Sequence, residues 1–343
     1  MKRDIQIRQS NIELLRLIIM SMIVVHHGLF AGLGLVGMAD WSEAKLVLPN
    51  NALVCAWGGI NSFLIIAVNV FVIISGYFSI QLNTRKFLTI VIELLIYTFF
   101  FKTLPYFFVD GNLKQAVFSI INNNYWFVVE YLILMMFAPM INSFLDRVSR
   151  KEFQWFISGL LFVSCYLGFI WKGPDNMSGY ELFQFIMLYT VGRYVSIYKV
   201  HLKTSKALAI YIVLSLLTGI LYGTLYMKGF PNYAYRMTNY NSPFLIAASL
   251  SFFLIFLNFN FRSQIVNNLS KSTLSIYLIS GSFLGPYYYR FVESQFCMYG
   301  NFGAVYSLIL GLFFFLIIAF MIDPVQRKVN RVIVDKILIF KTK

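Results

Sequence analysis

The chain is written as a succession of apolar runs, each about 20 residues long, parted by short polar breaks. A helix rises about 1.5 Å per residue and the hydrocarbon core of a bilayer is roughly 30 Å thick, so each run can cross once. The pattern predicts about ten spanning helices, over 11–31, 60–80, 86–108, 125–145, 153–171, 180–198, 207–227, 243–261, 273–291 and 303–322. The longest connection, 32–59, is itself half apolar, and no soluble domain fits between the spans. Residues 1–343 therefore read as a single all-α integral membrane domain, a polytopic bundle with no internal repeat or low-complexity tract.

Composition supports that class. The chain is 59% hydrophobic and 12% charged, and its mean hydropathy of +0.71 lies beyond the range of a water-soluble domain. The formal net charge of +14 raises the question of nucleic acid, which the distribution of the cations answers. With both termini placed in the cytoplasm, the inner segments carry twenty of the Lys and Arg residues and the outer segments five. That bias sets membrane topology and is no nucleic-acid footprint. Met1-Lys2-Arg3 followed by an apolar run has the look of a signal peptide, but Glu13 and Arg16 interrupt its front and no cleavage site precedes a soluble domain. Cys55, Cys165 and Cys297 are scattered, implying neither a disulfide framework nor a zinc site, and no metal is expected.

The first run carries the densest chemistry. It contains Glu13, Arg16 and two of the three histidines, His26 and His27, and ionisable groups inside a membrane helix are costly enough to mark function. Eleven residues turn a helix about 1100°, which places His27 within about 20° of Arg16 and about 16 Å along the axis. His26 points about 80° away, so His27 is the favoured imidazole and the pair could serve two ends of one elongated ligand. The bland alternative is an interfacial Glu13–Arg16 charge pair, with histidines that only bond a neighbouring helix.

Other segments fall into an order. Asn69 to Ser75-Gly76-Tyr77 is an apolar run ending in Ser-Gly-Tyr, Trp126 and Glu130 precede Pro139, and Tyr240-Asn241-Ser242-Pro243 is followed by Leu274 to Ile279. With Glu13-Leu-Leu-Arg16 and His27, this order resembles the membrane-bound acyltransferase 3 family, and in particular its members associated with surface polysaccharides. The resemblance covers roughly residues 8 to 285, and departs from it at Ser280-Gly281, where relatives often carry a histidine.

It implies an enzyme of the bacterial cytoplasmic membrane that moves an acyl group, usually acetyl, from acetyl-CoA to a carbohydrate hydroxyl. A sugar hydroxyl is a poor nucleophile at neutral pH, so a general base is required, and His27 would supply it with Glu130 as the expected partner. Arg16, accompanied by Glu13, suits the donor phosphates, and Arg85 and Lys86 could add to them or simply anchor the inner surface. Tyr77, Trp126, Tyr240 and Asn241 are the expected acceptor or acyl-path residues, although Ser75-Gly76-Tyr77 reads equally well as close helix packing. Membrane lipid and the glycan are the expected partners; a glycan transporter or flippase is the alternative, against which the absence of a repeat speaks.

Overall fold

The computed structural model describes residues 9–35, 46–105, 108, 114, 125–171 and 178–340, and every regular element among them is a helix. In chain order they are α1 (Ser10–Gly32), α2 (Asn51–Leu64), α3 (Ala67–Tyr77), α4 (Thr84–Thr98), α5 (Trp126–Leu145), α6 (Arg150–Leu161) and α7 (Leu182–Ile197). There follow α8 (Thr204–Met227), α9 (Pro231–Arg236), α10 (Pro243–Leu257), α11 (Gln264–Leu269), α12 (Thr273–Ser280) and α13 (Leu284–Phe340). Single π-helical stretches, Phe99–Thr103 and Phe162–Trp171, prolong α4 and α6. Among the described residues, six helical segments are long and apolar enough to cross a bilayer, and Leu182–Ile197 and Pro243–Leu257 are shorter apolar helices.

The differences from the predicted spans have local causes. The second span begins near residue 51, because the side chain of Asn50 accepts the Leu53 amide and caps α2 nine residues ahead of the predicted start. The predicted span 273–291 is broken, since α12 stops at Ser280 and the Ser282 hydroxyl accepts the Leu284 amide to start the next helix. The gap between the predicted spans 273–291 and 303–322 is present, because Gly300, at φ 59°, breaks α13 into two helices in a conformation that only glycine adopts readily. The second of these runs on to Phe340, well past the predicted end at 322.

α1 lies at the centre, packed against α2, α3, α10, α11, α12 and α13. Its N-terminal end is tied down by Asn11 Nδ2, which donates to the Phe256 carbonyl at 2.9 Å, and by Ser10 Oγ, which accepts the Ser263 amide at 3.0 Å. Burial is graded outward: 67% of the apolar window in Asn51–Tyr77 is buried, against 17% in Thr204–Met227. The outer helices turn large apolar side chains away from the bundle, among them Met140, Val213, Ile220, Phe302 and Phe313. In water this surface would be prohibitive; against lipid tails it costs nothing.

The α3–α7 crossing is backbone against backbone. A Cβ on Gly76 would be driven into the Tyr189 carbonyl, and one on Gly192 into the Ile73 carbonyl. Glycine is thus required at both positions, and the Ser75-Gly76-Tyr77 pattern serves close packing.

Candidate active site

One face of α1 forms the wall of an internal cavity of about 300 Å³, to which Arg16, Met20, Ile23, His26 and His27 all contribute. The predicted common face of Arg16 and His27 is present, and His26 shares it, because a cavity wall accepts an arc of a helix broader than a single line. Opposite stand Leu64, Ile65, Val68 and Phe71 of the α2–α3 pair, Phe127 and Tyr131 of α5, and Thr273, Leu274 and Tyr277 of α12. Apolar side chains make up most of the lining, so the few polar groups stand out as fixed points of recognition.

At one end Arg16 Nη1 lies 3.0 Å from Glu13 Oε1, and the guanidinium sits 5.9 Å from the centroid of the Phe78 ring. Glu13 is buried while Arg16 remains 31% exposed, so the carboxylate steadies the arginine from behind and leaves other N–H groups for an anion. This geometry suits an anionic group, with Arg16 as the contact and Glu13 as its support.

Midway, His26 Nδ1 lies 2.6 Å from Asn61 Oδ1, and the two imidazole centroids are 5.6 Å apart. At the far end Trp126 and Tyr240 line the cavity with centroids 5.8 Å apart, and Tyr180 packs on both, at 4.6 and 4.9 Å. The Tyr240 carbonyl accepts from Asn69 Nδ2 and from Gln184 Nε2, each at 2.9 Å. Ser164 Oγ donates in turn to Gln184 Oε1 at 2.6 Å, so the aromatic mouth is anchored to α3, α6 and α7. A cavity with a cation at one end, imidazoles in the middle and a rigid aromatic wall at the other end can hold an anionic donor, a base and a ring-shaped acceptor in line.

The family model for an acyltransferase domain matches residues 9–323. The chain belongs to the acyltransferase 3 family. Searches of curated proteins and of solved structures gave no match. Its long apolar helices make this acyltransferase a membrane protein.

Within this acyltransferase, the structure brings together Arg16, His27, Trp126 and Tyr240 of the residues expected from sequence, with Glu13 just behind. The others lie elsewhere. Glu130 is half-buried on α5 but is not part of the cavity wall, where Trp126, Phe127, Val128 and Tyr131 represent that helix; the side chain bound to His26 is Asn61. Tyr77 packs on Phe253 at 5.3 Å, and Asn241 is buried outside the lining. Arg85 pairs with Asp335 at 2.6 Å, and Lys86 is exposed beside it, so both lie at the surface end of α4. Lys102 Nζ sits 4.3 Å from the Tyr125 ring centroid.

Sequence reasoning missed Asn61, Tyr131 and Tyr277. Asn61 carried a usable signal, as an amide inside an apolar run must find a partner in the membrane. Tyr131 and Tyr277 lie inside segments that carry the family resemblance, but nothing singled them out among the chain's 22 tyrosines. Among the described residues no group of three or more His, Cys, Asp and Glu side chains is arranged to hold a metal ion.

Proposed function

We propose that this acyltransferase transfers an acetyl group from cytoplasmic acetyl-CoA to a hydroxyl of a bacterial surface polysaccharide or of its lipid-linked precursor. The observation that carries the reading is the single cavity running from Arg16 past the imidazoles to Trp126 and Tyr240. Arg16 takes the donor phosphates, and the thioester reaches the middle of the cavity. The sugar ring lies against Trp126 and Tyr240. His27 accepts the proton of the attacking hydroxyl as its oxygen bonds to the acyl carbon; the C–S bond breaks and the CoA thiolate leaves, receiving that proton from the imidazolium.

The same reading places the protein in the bacterial cytoplasmic membrane, crossing about ten times with both termini inside, in keeping with the cation bias. Arg85 and Lys86, near that inner surface, are placed for the nucleotide end of the donor. The test is mass spectrometry of the surface glycan from cells with the gene intact, deleted, or restored as His27→Ala. Loss of one acetyl mass per repeat unit in the deletion and in the variant supports the proposal. A glycan that stays acylated but no longer reaches the surface replaces it with transport.

A further inference from the structure

The contact between His26 and Asn61 fixes more than a position. An amide oxygen only accepts hydrogen bonds, so at 2.6 Å His26 Nδ1 carries the proton and donates it to Asn61 Oδ1. In the neutral ring the lone pair then belongs to Nε2. The ring is clamped as well as oriented: Asn61 is buried on α2, and Phe30 packs on His26 with centroids 5.2 Å apart. The cavity therefore holds two imidazoles on neighbouring positions of one helix, and the tautomer of His26 is set by a residue from another helix.

An acceptor lone pair in an apolar wall suits only certain ligands. The acyl group and thioester of the donor bring no proton to give it, whereas a sugar brings several hydroxyls. Two rings with centroids 5.6 Å apart do not take the same proton, but they are spaced to receive two hydroxyls of one sugar. We propose that His26 Nε2 accepts a hydrogen bond from the hydroxyl adjacent to the one that is acylated, and that Asn61 is the positioning residue that keeps it an acceptor.

This inference rests on acyl transfer to a carbohydrate and narrows the acceptor to a sugar carrying a vicinal diol. His27 takes the proton of the reacting hydroxyl, and His26 holds its neighbour without changing its own protonation. His26 thereby selects which hydroxyl reacts. Loss of the clamp frees the ring to rotate and to exchange tautomers, and the sugar loses its second fixed point.

The test uses the full chain in lipid nanodiscs with acetyl-CoA and, as acceptor, repeat-unit oligosaccharide from the host's surface glycan after mild-base removal of its acetyl esters. Wild type should acetylate a single hydroxyl with a free hydroxyl on the adjacent carbon, as read by NMR. Asn61→Leu and His26→Leu should raise the acceptor KM about tenfold, the scale of one hydrogen bond, leave the acetyl-CoA KM unchanged and spread acetyl over several hydroxyls. Asn61→Asp retains an acceptor oxygen and should keep the single position.

With only three histidines in the chain, ¹⁵N NMR of histidine-labelled protein can be assigned from His27→Gln and His201→Gln samples. It should find His26 protonated on Nδ1 in wild type and as a tautomer mixture in Asn61→Leu, independent of turnover. Acetylation of a hydroxyl without a free neighbour, an unchanged acceptor KM in Asn61→Leu, scrambling in Asn61→Asp equal to that in Asn61→Leu, or a bare Nδ1 in wild type would each overturn the proposal. Wild-type protein that acetylates no glycan would instead overturn the acyl-transfer reading beneath it.

Discussion

Glu13 and Arg16, one turn apart on α1, form an ion pair of 3.0 Å in which the carboxylate is 7% exposed and the guanidinium 31%. The asymmetry assigns the roles, since the buried partner cannot meet a ligand directly and the half-exposed one can. Arg16→Ala should raise the acetyl-CoA KM by about 10- to 100-fold, the range of a lost charged hydrogen bond, and leave the acceptor KM near wild type. Glu13→Gln keeps the arginine but loosens it, so a smaller rise is expected. Steady-state kinetics with donor and acceptor varied separately checks both, and an unchanged donor KM in Arg16→Ala would remove the arginine from the donor site.

His27→Ala should lower kcat by about 10²–10⁴, the usual worth of a positioned base, while the protein still inserts and purifies normally. The measurement is acetyl transfer per mole of purified protein, with size-exclusion profiles as the control for folding.

Trp126→Ala should raise the acceptor KM about fivefold, on the scale of one buried aromatic contact of about 1 kcal/mol, with little change for acetyl-CoA. Equal effects on both substrates would mean that the ring supports the bundle and does not meet the sugar.

Gly76→Ala forces a methyl group into the Tyr189 carbonyl, where neither backbone can give way cheaply. Overpacking of this kind costs about 1–3 kcal/mol, and the rigid contact puts this site at the upper end. The thermal unfolding midpoint in detergent should fall clearly. Gly192→Ala, which meets the Ile73 carbonyl across the same crossing, should behave alike.

Asp323 is fully buried, accepts from Ser272 Oγ and Ser275 Oγ at 2.7 Å each, and pairs with Arg327 at 2.7 Å. Asp323→Ala strands those donors and should cost about 3 kcal/mol, read as a lower unfolding midpoint. Thr273 and Leu274, set between those two serines, line the cavity, so activity should fall at temperatures where the variant remains folded. Ser272→Ala removes one bond of the three and should cost about 1 kcal/mol.

The sequence by itself determined the class and the face of α1 that lines the cavity. Run length against bilayer thickness requires spanning helices, and the fixed 100° step of a helix puts Arg16 and His27 on one side, so neither conclusion depends on knowing the partner helices. Tertiary structure alone decided the rest. Whether Glu130 or Asn61 meets an imidazole depends on how α2 and α5 are rotated against α1, which no periodicity within one helix encodes. Tyr77 and Gly76 are neighbours in sequence, yet only the crossing with α7 makes Gly76 a packing position and turns Tyr77 toward Phe253. The break at Gly300 falls in the gap between the predicted spans 273–291 and 303–322, whereas the one after Ser280 escaped the hydropathy pattern for a related reason. A pattern of apolar residues records what lipid and core will accept, and it does not record where the backbone turns.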